Sequence, residues 1–126
     1  MAEELFNDII LGRFDWEIRL NNIERLEYGW DNECAEPVHK FALSQARIII
    51  GVVLEFDAEI FKYTEVGAVE DGSLDVCWPN IGIYCSFDDL GANIYIHSSN
   101  IGYDIPYNDT FKKNFLNELL KHVKGG

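Results

Sequence analysis

Apolar and polar positions change period twice along this chain. From residue 3 to 27 the apolar side chains recur at helical spacing. Leu5, Ile9 and Ile10 form one stripe, and Phe14, Trp16, Ile18, Leu20, Ile23 and Leu26 continue it less cleanly, with Gly12 as the weak point between them. Gly29 is the predicted stop. After a loop at 29–36, Pro37 suits the first turn of a second helix, where a missing N–H costs nothing. That helix is predicted to reach about Phe56. Phe41, Ile48, Val52 and Phe56, with Ala42, Ile49 and Val53, give it a wide apolar face, so it should be the most buried helix.

From 63 to 99 the period becomes two. Asp71-Gly72, Pro79-Asn80 and Asp88 to Gly91 are turn signals, and pairing the chain about them predicts strands at 73–78, 81–87 and 92–98. One face then collects Leu74, Val76, Trp78, Ile81, Ile83, Cys85, Ile94 and Ile96. The other carries Asp75, Tyr84 and Tyr95 in one row and Cys77, Gly82 and His97 in the next. A last helix over 110–123 follows Asn108 and Asp109 as caps and turns Phe111, Phe115, Leu119 and Leu120 inward. The expected fold class is α+β: two N-terminal helices, an antiparallel meander of three to four strands, and a C-terminal helix packed on one face of the sheet. No repeat, low-complexity segment or linker divides the chain, so residues 1–126 read as a single domain.

Composition adds compartment and charge. Apolar residues make up 48% of the 126 and no apolar run approaches a membrane span, so no membrane association is expected. The opening Met-Ala-Glu-Glu lacks a basic n-region, and three cysteines, Cys34, Cys77 and Cys85, are an odd number at irregular spacing. A reducing, cytoplasmic setting with free thiols is the expectation. The 22 acids against 10 bases give a net charge of −12 and a pI near 4.4. Residues 1–111 hold 21 acids and six bases, a net of −15, while residues 112–126 hold one acid and four lysines, a net of +3. Phosphate backbones repel such a body, which argues against direct nucleic-acid binding. Solubility is one use of the acidity; attraction to a basic partner surface is the other.

Catalytic constellations are missing from the pattern. His39, His97 and His122 have no metal-type spacing, so neither a metal nor another cofactor is expected. Cys77 and Cys85 fall on opposite faces of the predicted sheet. Cys77 and His97 share a face but stand two strands apart, about 10 Å at the usual strand spacing, beyond a hydrogen bond. Serine-nucleophile, phosphate-loop and dinucleotide signatures are absent, and no catalytic residue is assigned. Acidic pairs such as Asp88-Asp89 and Glu70-Asp71 sit in turns, where aspartate is favoured for backbone reasons. Trp30, Asp31, Pro37 and Trp78 are read as structural, Trp30 as a core plug against the helix after Pro37 and Asp31 as the hydrogen-bonding residue of its loop. Glu70, Asp71, Asp75, Tyr84, Tyr95 and His97 are the candidate partner-binding residues, aromatic groups beside charge.

The stretch Leu-Glu-Tyr-Gly-Trp-Asp-Asn-Glu-Cys-Ala-Glu-Pro at 26–37 resembles the Gly-Trp-Asp-Gly-x-x-Ala-x-Pro opening of many short, uncharacterised bacterial proteins. Pro37, the helix after it, Gly72, Trp78 and the Ile94-Tyr95-Ile96 strand follow in the matching order, so the resemblance covers about residues 26–98. Asn32 stands where those proteins carry their second glycine. The resemblance implies an α+β fold and supplies no activity. The functional expectation therefore rests on size, charge and the aromatic sheet face. It is a non-enzymatic module binding a basic protein surface, as an inhibitor, immunity protein, antitoxin-like partner or anti-CRISPR-type nucleic-acid mimic would. A small-molecule or peptide-binding domain, or an enzyme with its site on the outer sheet face, is the alternative.

Overall fold

Alternation in the second half of the chain builds a five-stranded antiparallel meander, in a computed structural model that describes residues 15–124. The strands are β1 (Glu65–Ala68), β2 (Leu74–Trp78), β3 (Ile83–Phe87), β4 (Gly91–Ile96) and β5 (Ile101–Pro106), each paired with the next in sequence. Around them lie α1 (Asp15–Glu24), α2 (Lys40–Phe56), the single turn α3 (Ala58–Phe61) and α4 (Phe111–Lys124). The fold is α+β, with the C-terminal helix and five strands.

The inner face is apolar across the sheet. Val66, Val76, Cys85 and Ile94 align in one row, Leu74, Phe87, Ala92 and Ile105 in the next, and Trp78, Ile83 and Ile96 at one end. All are buried. Three helices close over this face: α1 contacts β1, α2 lies across β2 and β3, and α4 covers β4 and β5. Phe111, Phe115 and Leu119 of α4 are buried as the spacing predicts, whereas Leu120 is only partly covered.

The sorting of side chains between faces agrees with the sequence reading, but one row is displaced. Trp78 pairs with Ile83, not Ile81, so Cys77 stands opposite Tyr84 and Asp75 opposite Ser86. The cause is the connection: Pro79–Ile81 winds into a 3-10 turn and Gly82 follows at φ +67, lengthening the loop by two residues. A slip of two preserves the faces, because side chains alternate with that period. Val76 and Ile83 therefore share the buried face as diagonal neighbours. The sequence pattern predicts three to four strands and five form, with β5 in a stretch to which it assigns no element.

The helices differ from the reading in three respects. α1 ends at Glu24, five residues before Gly29. The expectations for residues 3–14, with Leu5, Ile9, Ile10, Gly12 and Phe14, lie outside the described residues. Pro37 is not in a helix. Residues 37–39 run extended along the β1–β2 turn, where Glu36 N–H donates to Glu70 O (2.8 Å) and His39 N–H to Gly72 O (3.0 Å). Those bonds to a neighbouring strand turn replace a first helical turn, and α2 begins at Lys40. Finally, α2 seats Ala42, Leu43, Ala46, Ile49, Ile50 and Val53 inward, and leaves Phe41 and Ile48 exposed. The small alanines let the helix approach the sheet, so the buried stripe is rotated away from Phe41.

Two glycines separate close approach from mere flexibility. A Cβ on Gly91 would overlap the Ile105 carbonyl and meet Pro106 Cα at 2.8 Å, whereas one on Gly51, within α2, would touch nothing within 4 Å. Gly91→Ala should lower the unfolding free energy by about 3 kcal/mol, as overpacking against backbone does. Gly51→Ala should raise it by about 0.5–1 kcal/mol through helix propensity. Urea denaturation of the two variants measures both, and equal effects would contradict the packing described.

Candidate functional site: the outer sheet face

The side chains left outside by the alternation fall into two aligned rows. Glu65, Cys77, Tyr84, Tyr95 and Gly102 run across all five strands in one, and Gly67, Asp75, Ser86, Asn93 and Asp104 in the other. His97 extends the first row beyond the end of β4, where its N–H donates to Gly82 O (2.9 Å). Its ring lies 6.5 Å from the rings of both Tyr84 and Tyr95, edge-on to each. Tyr95 Oη donates to Asn100 Oδ1 (2.5 Å), and Asn93 Nδ2 donates to Asp104 Oδ1 (2.9 Å).

Four of the expected partner-binding residues, Asp75, Tyr84, Tyr95 and His97, thus share this face. Glu70 and Asp71 do not lie in its rows. They form the β1–β2 turn, and Asp71 Oδ1 accepts from both Ser73 N–H (2.9 Å) and Ser73 Oγ (2.6 Å). Those bonds hold the Asp71 carboxyl below its usual range. Its first role is therefore to fix the turn.

Sequence reasoning passed over Glu65, Asn93, Gly102 and Asp104, which complete the rows. It also passed over a simple count. Residues 63–111 contain eight carboxylates (Glu65, Glu70, Asp71, Asp75, Asp88, Asp89, Asp104 and Asp109) and no lysine or arginine. Each lysine and arginine among the described residues belongs to a helix or its flank, on the other side of the sheet or at its margins. Arg47 on α2, for instance, is engaged by Glu24 (2.7 Å) and Asn21 (3.0 Å) of α1. The outer face carries uncompensated negative charge.

A shallow recess of about 250 Å³ opens on this face between Glu65, Gly67, Asp75, Cys77 and Tyr84. Partial burial, and then the neighbouring Asp71 charge, raise the Asp75 carboxyl above its usual range. Burial, reinforced by Asp75, likewise raises the Cys77 thiol, which disfavours the thiolate a nucleophile needs. Cys85 faces the core from the opposite side of the sheet, its thiol raised further by burial. All three cysteines are free, and no hydrogen bond joins Cys77 to His97. Among the described residues no group of His, Cys, Asp or Glu is placed to hold a metal ion, and no helix is long and apolar enough to cross a membrane.

The structural residues divide unequally. Trp78 is wholly buried, stands edge-on to Phe61 (5.3 Å), and donates through Nε1 to Thr64 Oγ1 (2.8 Å). Trp30 is not a core plug. It is half-buried and lies outside the apolar cluster, and its Nε1 donates to Glu36 O (2.8 Å), closing its own loop. Asp31 Oδ1 accepts from Glu33 N–H (2.9 Å) and Ala35 N–H (3.1 Å), the loop role expected of it. Gly29 and Asn32 take φ of +79 and +67, a conformation glycine adopts freely and asparagine tolerates. The loop is too short and too polar to carry an indole inward; its hydrogen bonds hold the ring at the surface.

Trp78→Ala should cost about 3–5 kcal/mol, the range for a buried aromatic. Trp30→Ala should cost about 1–2 kcal/mol, a hydrogen bond and partial burial. Thermal or urea unfolding compares them, and equal losses would place Trp30 in the core after all. The two aspartates should show opposite pH signatures. Asp71 has a lowered pKa, so its stabilisation is present above the unfolded-state pKa and disappears as pH falls through the folded-state value. Asp71→Asn should be destabilised most at neutral pH, with the gap closing in acid. Asp75 has a raised pKa, so its protonated form is favoured and that contribution is lost as pH rises. Asp75→Asn should match or exceed the parent at neutral pH and lose that advantage in acid. In comparison with known proteins, the chain matches no protein-family model, no curated protein and no solved structure.

Proposed function

We propose that the domain is a non-enzymatic protein-binding module that presents the outer face of its sheet to a basic surface on a partner protein. The carrying observation is the pairing of uncompensated carboxylates with aromatic rings on one open face: Glu65, Asp75 and Asp104 around Tyr84 and Tyr95, with no lysine or arginine between residues 63 and 111. Rings supply contact area at small entropic cost, and charge of one sign steers a complementary partner and rejects others. The three carboxylates are spread across the face, Glu65 on β1, Asp75 on β2 and Asp104 on β5, the last two about 14 Å apart at three strand spacings. Negative charge spread in this way suits the basic channel or groove of a nucleic-acid enzyme, where carboxylates stand in for phosphates. Inhibitor, immunity, antitoxin-like and phage anti-defence roles all use that chemistry. Three unpaired thiols fit a reducing, cytoplasmic setting.

A small-molecule site on the same face is the weaker reading. The recess beside Asp75 holds about 250 Å³, below the roughly 300–1,000 Å³ of ligand pockets, and the Cys77 thiol within it is not activated.

The test compares two sets of charge reversals on a partner isolated from native extract. Glu65→Lys, Asp75→Lys and Asp104→Lys together should weaken the complex at least tenfold. Reversal of Lys112, Lys113, Lys121 and Lys124 should change it little. Association with the parent should slow as salt rises, because the screening length falls from about 10 Å at 0.1 M to about 3 Å at 1 M. Loss of binding on reversing the lysines, or nucleic acid retained by the purified protein at physiological salt, would contradict the proposal.

A further inference from the structure

We infer that the free edge of β5 is a strand-addition site for an extended, lysine- or arginine-bearing segment of a partner, laid in the groove between β5 and α4. The phase of the ladder makes the edge available. Tyr107 N–H donates to Leu90 O (3.1 Å), which extends the β4–β5 register by one pair past Gly91 and Pro106, at the end of the ladder away from the β4–β5 connection. Antiparallel pairs exchange bonds at every second residue, so Ile105, Tyr103 and Ile101 bond to β4. On the other side of β4, His97 N–H to Gly82 O and Asp88 N–H to Gly91 O assign the odd-numbered residues to β3, which fixes the same phase independently. Gly102 and Asp104 therefore direct their N–H and C=O away from the sheet, and among the described residues no other backbone meets them. At the end of the strand Pro106 has no N–H to offer, so the usable edge is centred on Gly102 and Asp104.

The edge does not simply face solvent. A groove of about 530 Å³ runs between the five residues 102–106 and one face of α4, where Asn114, Asn117, Glu118 and Lys121 recur at spacings of three and four. A helix beside an open strand edge is the arrangement that captures extended peptides by main-chain pairing. A strand added here has two kinds of side chain. Those facing inward meet the amides of Asn114 and Asn117 and suit small polar residues. Those facing outward prolong the two rows of the binding face. One stands directly opposite Asp104, where a cation makes a favourable cross-strand pair, and another stands beside Gly102, which has no side chain to obstruct it.

Charge also decides between occupants. A second copy would set Asp104 and a net charge of −12 against themselves, and an inward or edge charge of this kind normally prevents self-pairing. A basic segment meets the opposite sign at Asp104, and Lys121 on the groove wall is paired to Glu118 (3.5 Å). The sign of the partner's charge rests on the reading of the outer face given above; the strand addition itself rests on the ladder and the groove.

The experiment is an amide NMR titration of the full chain with three capped heptapeptides, threonine alternating with lysine, with glutamine or with glutamate, repeated on Gly102→Pro. Proline at 102 removes an N–H that the sheet does not use, so the fold should persist, as an unchanged spectrum elsewhere would show. The lysine peptide should shift the Gly102 and Asp104 amides and the side-chain amides of Asn114 and Asn117, and protect the first two from exchange. The glutamate peptide should not bind, and Gly102→Pro should weaken the lysine peptide at least tenfold. Equal binding of lysine and glutamine peptides at this edge would keep strand addition and overturn the basic partner. Shifts confined to Tyr84, Tyr95 and Asp75, or no shifts at all, would overturn strand addition. So would a parent dimer in sedimentation that Gly102→Pro dissociates, because the occupant would then be a second copy.

Discussion

Burying an antiparallel sheet on one face only is the constraint from which the rest of this structure follows. Every second residue of five strands must be apolar to meet α2 and α4, and every residue between them is released from packing. The inner rows obey this closely: Val76, Cys85 and Ile94 in one, Leu74 and Phe87 in the next, Trp78 and Ile83 at the end. Trp78 closes that end because its indole N–H finds Thr64 Oγ1 inside the core, satisfying the one polar atom such a ring brings with it. The outer rows are free to be chosen for something other than stability. They hold carboxylates and tyrosines, and the cations stay with the helices.

Charge segregation links the fold to the proposed use. A soluble surface needs only charges, of mixed sign and dispersed. Here residues 63–111 dispense with cations altogether. At Asp75 that arrangement has an energetic consequence, since burial and Asp71 raise its pKa and so disfavour the charged form in the folded state. Residues tuned for binding commonly sit at some cost to stability. The open edge of β5 carries the same chemistry to the border of the sheet, where Asp104 stands beside unpaired backbone.

Much of the sheet was legible in the sequence, and the reason is the period of two. Alternation assigns each residue a face regardless of turn length, provided the error is even, and the slip at Pro79–Ile81 was of two residues. Residues 101–106 were illegible because Gly102 and Pro106 dilute the strand signal, and because their outer edge needs no partner of its own. α2 is apolar nearly all round, so its sequence showed a helix without showing which stripe faces the sheet; only Ala42 and Ala46, small enough for close approach, mark it in hindsight. Asp71 looked like a surface charge because turn aspartates and binding aspartates are the same residue type, and only the Ser73 bonds separate them. Trp30 misled through its size. A large ring in a short loop predicts an inward plug, whereas the Glu36 carbonyl holds it outside.

The central claim is that the outer sheet face, rather than the exposed apolar flank of α2, meets the partner. Site-specific photocrosslinking in the native cell addresses it directly, with a benzophenone side chain placed in turn at Tyr84, Tyr95, Phe41 and Ile48. The account predicts one discrete adduct from Tyr84 and Tyr95, to a protein with a basic surface, and none from Phe41 or Ile48. An adduct from the α2 positions with silence at both tyrosines would contradict it.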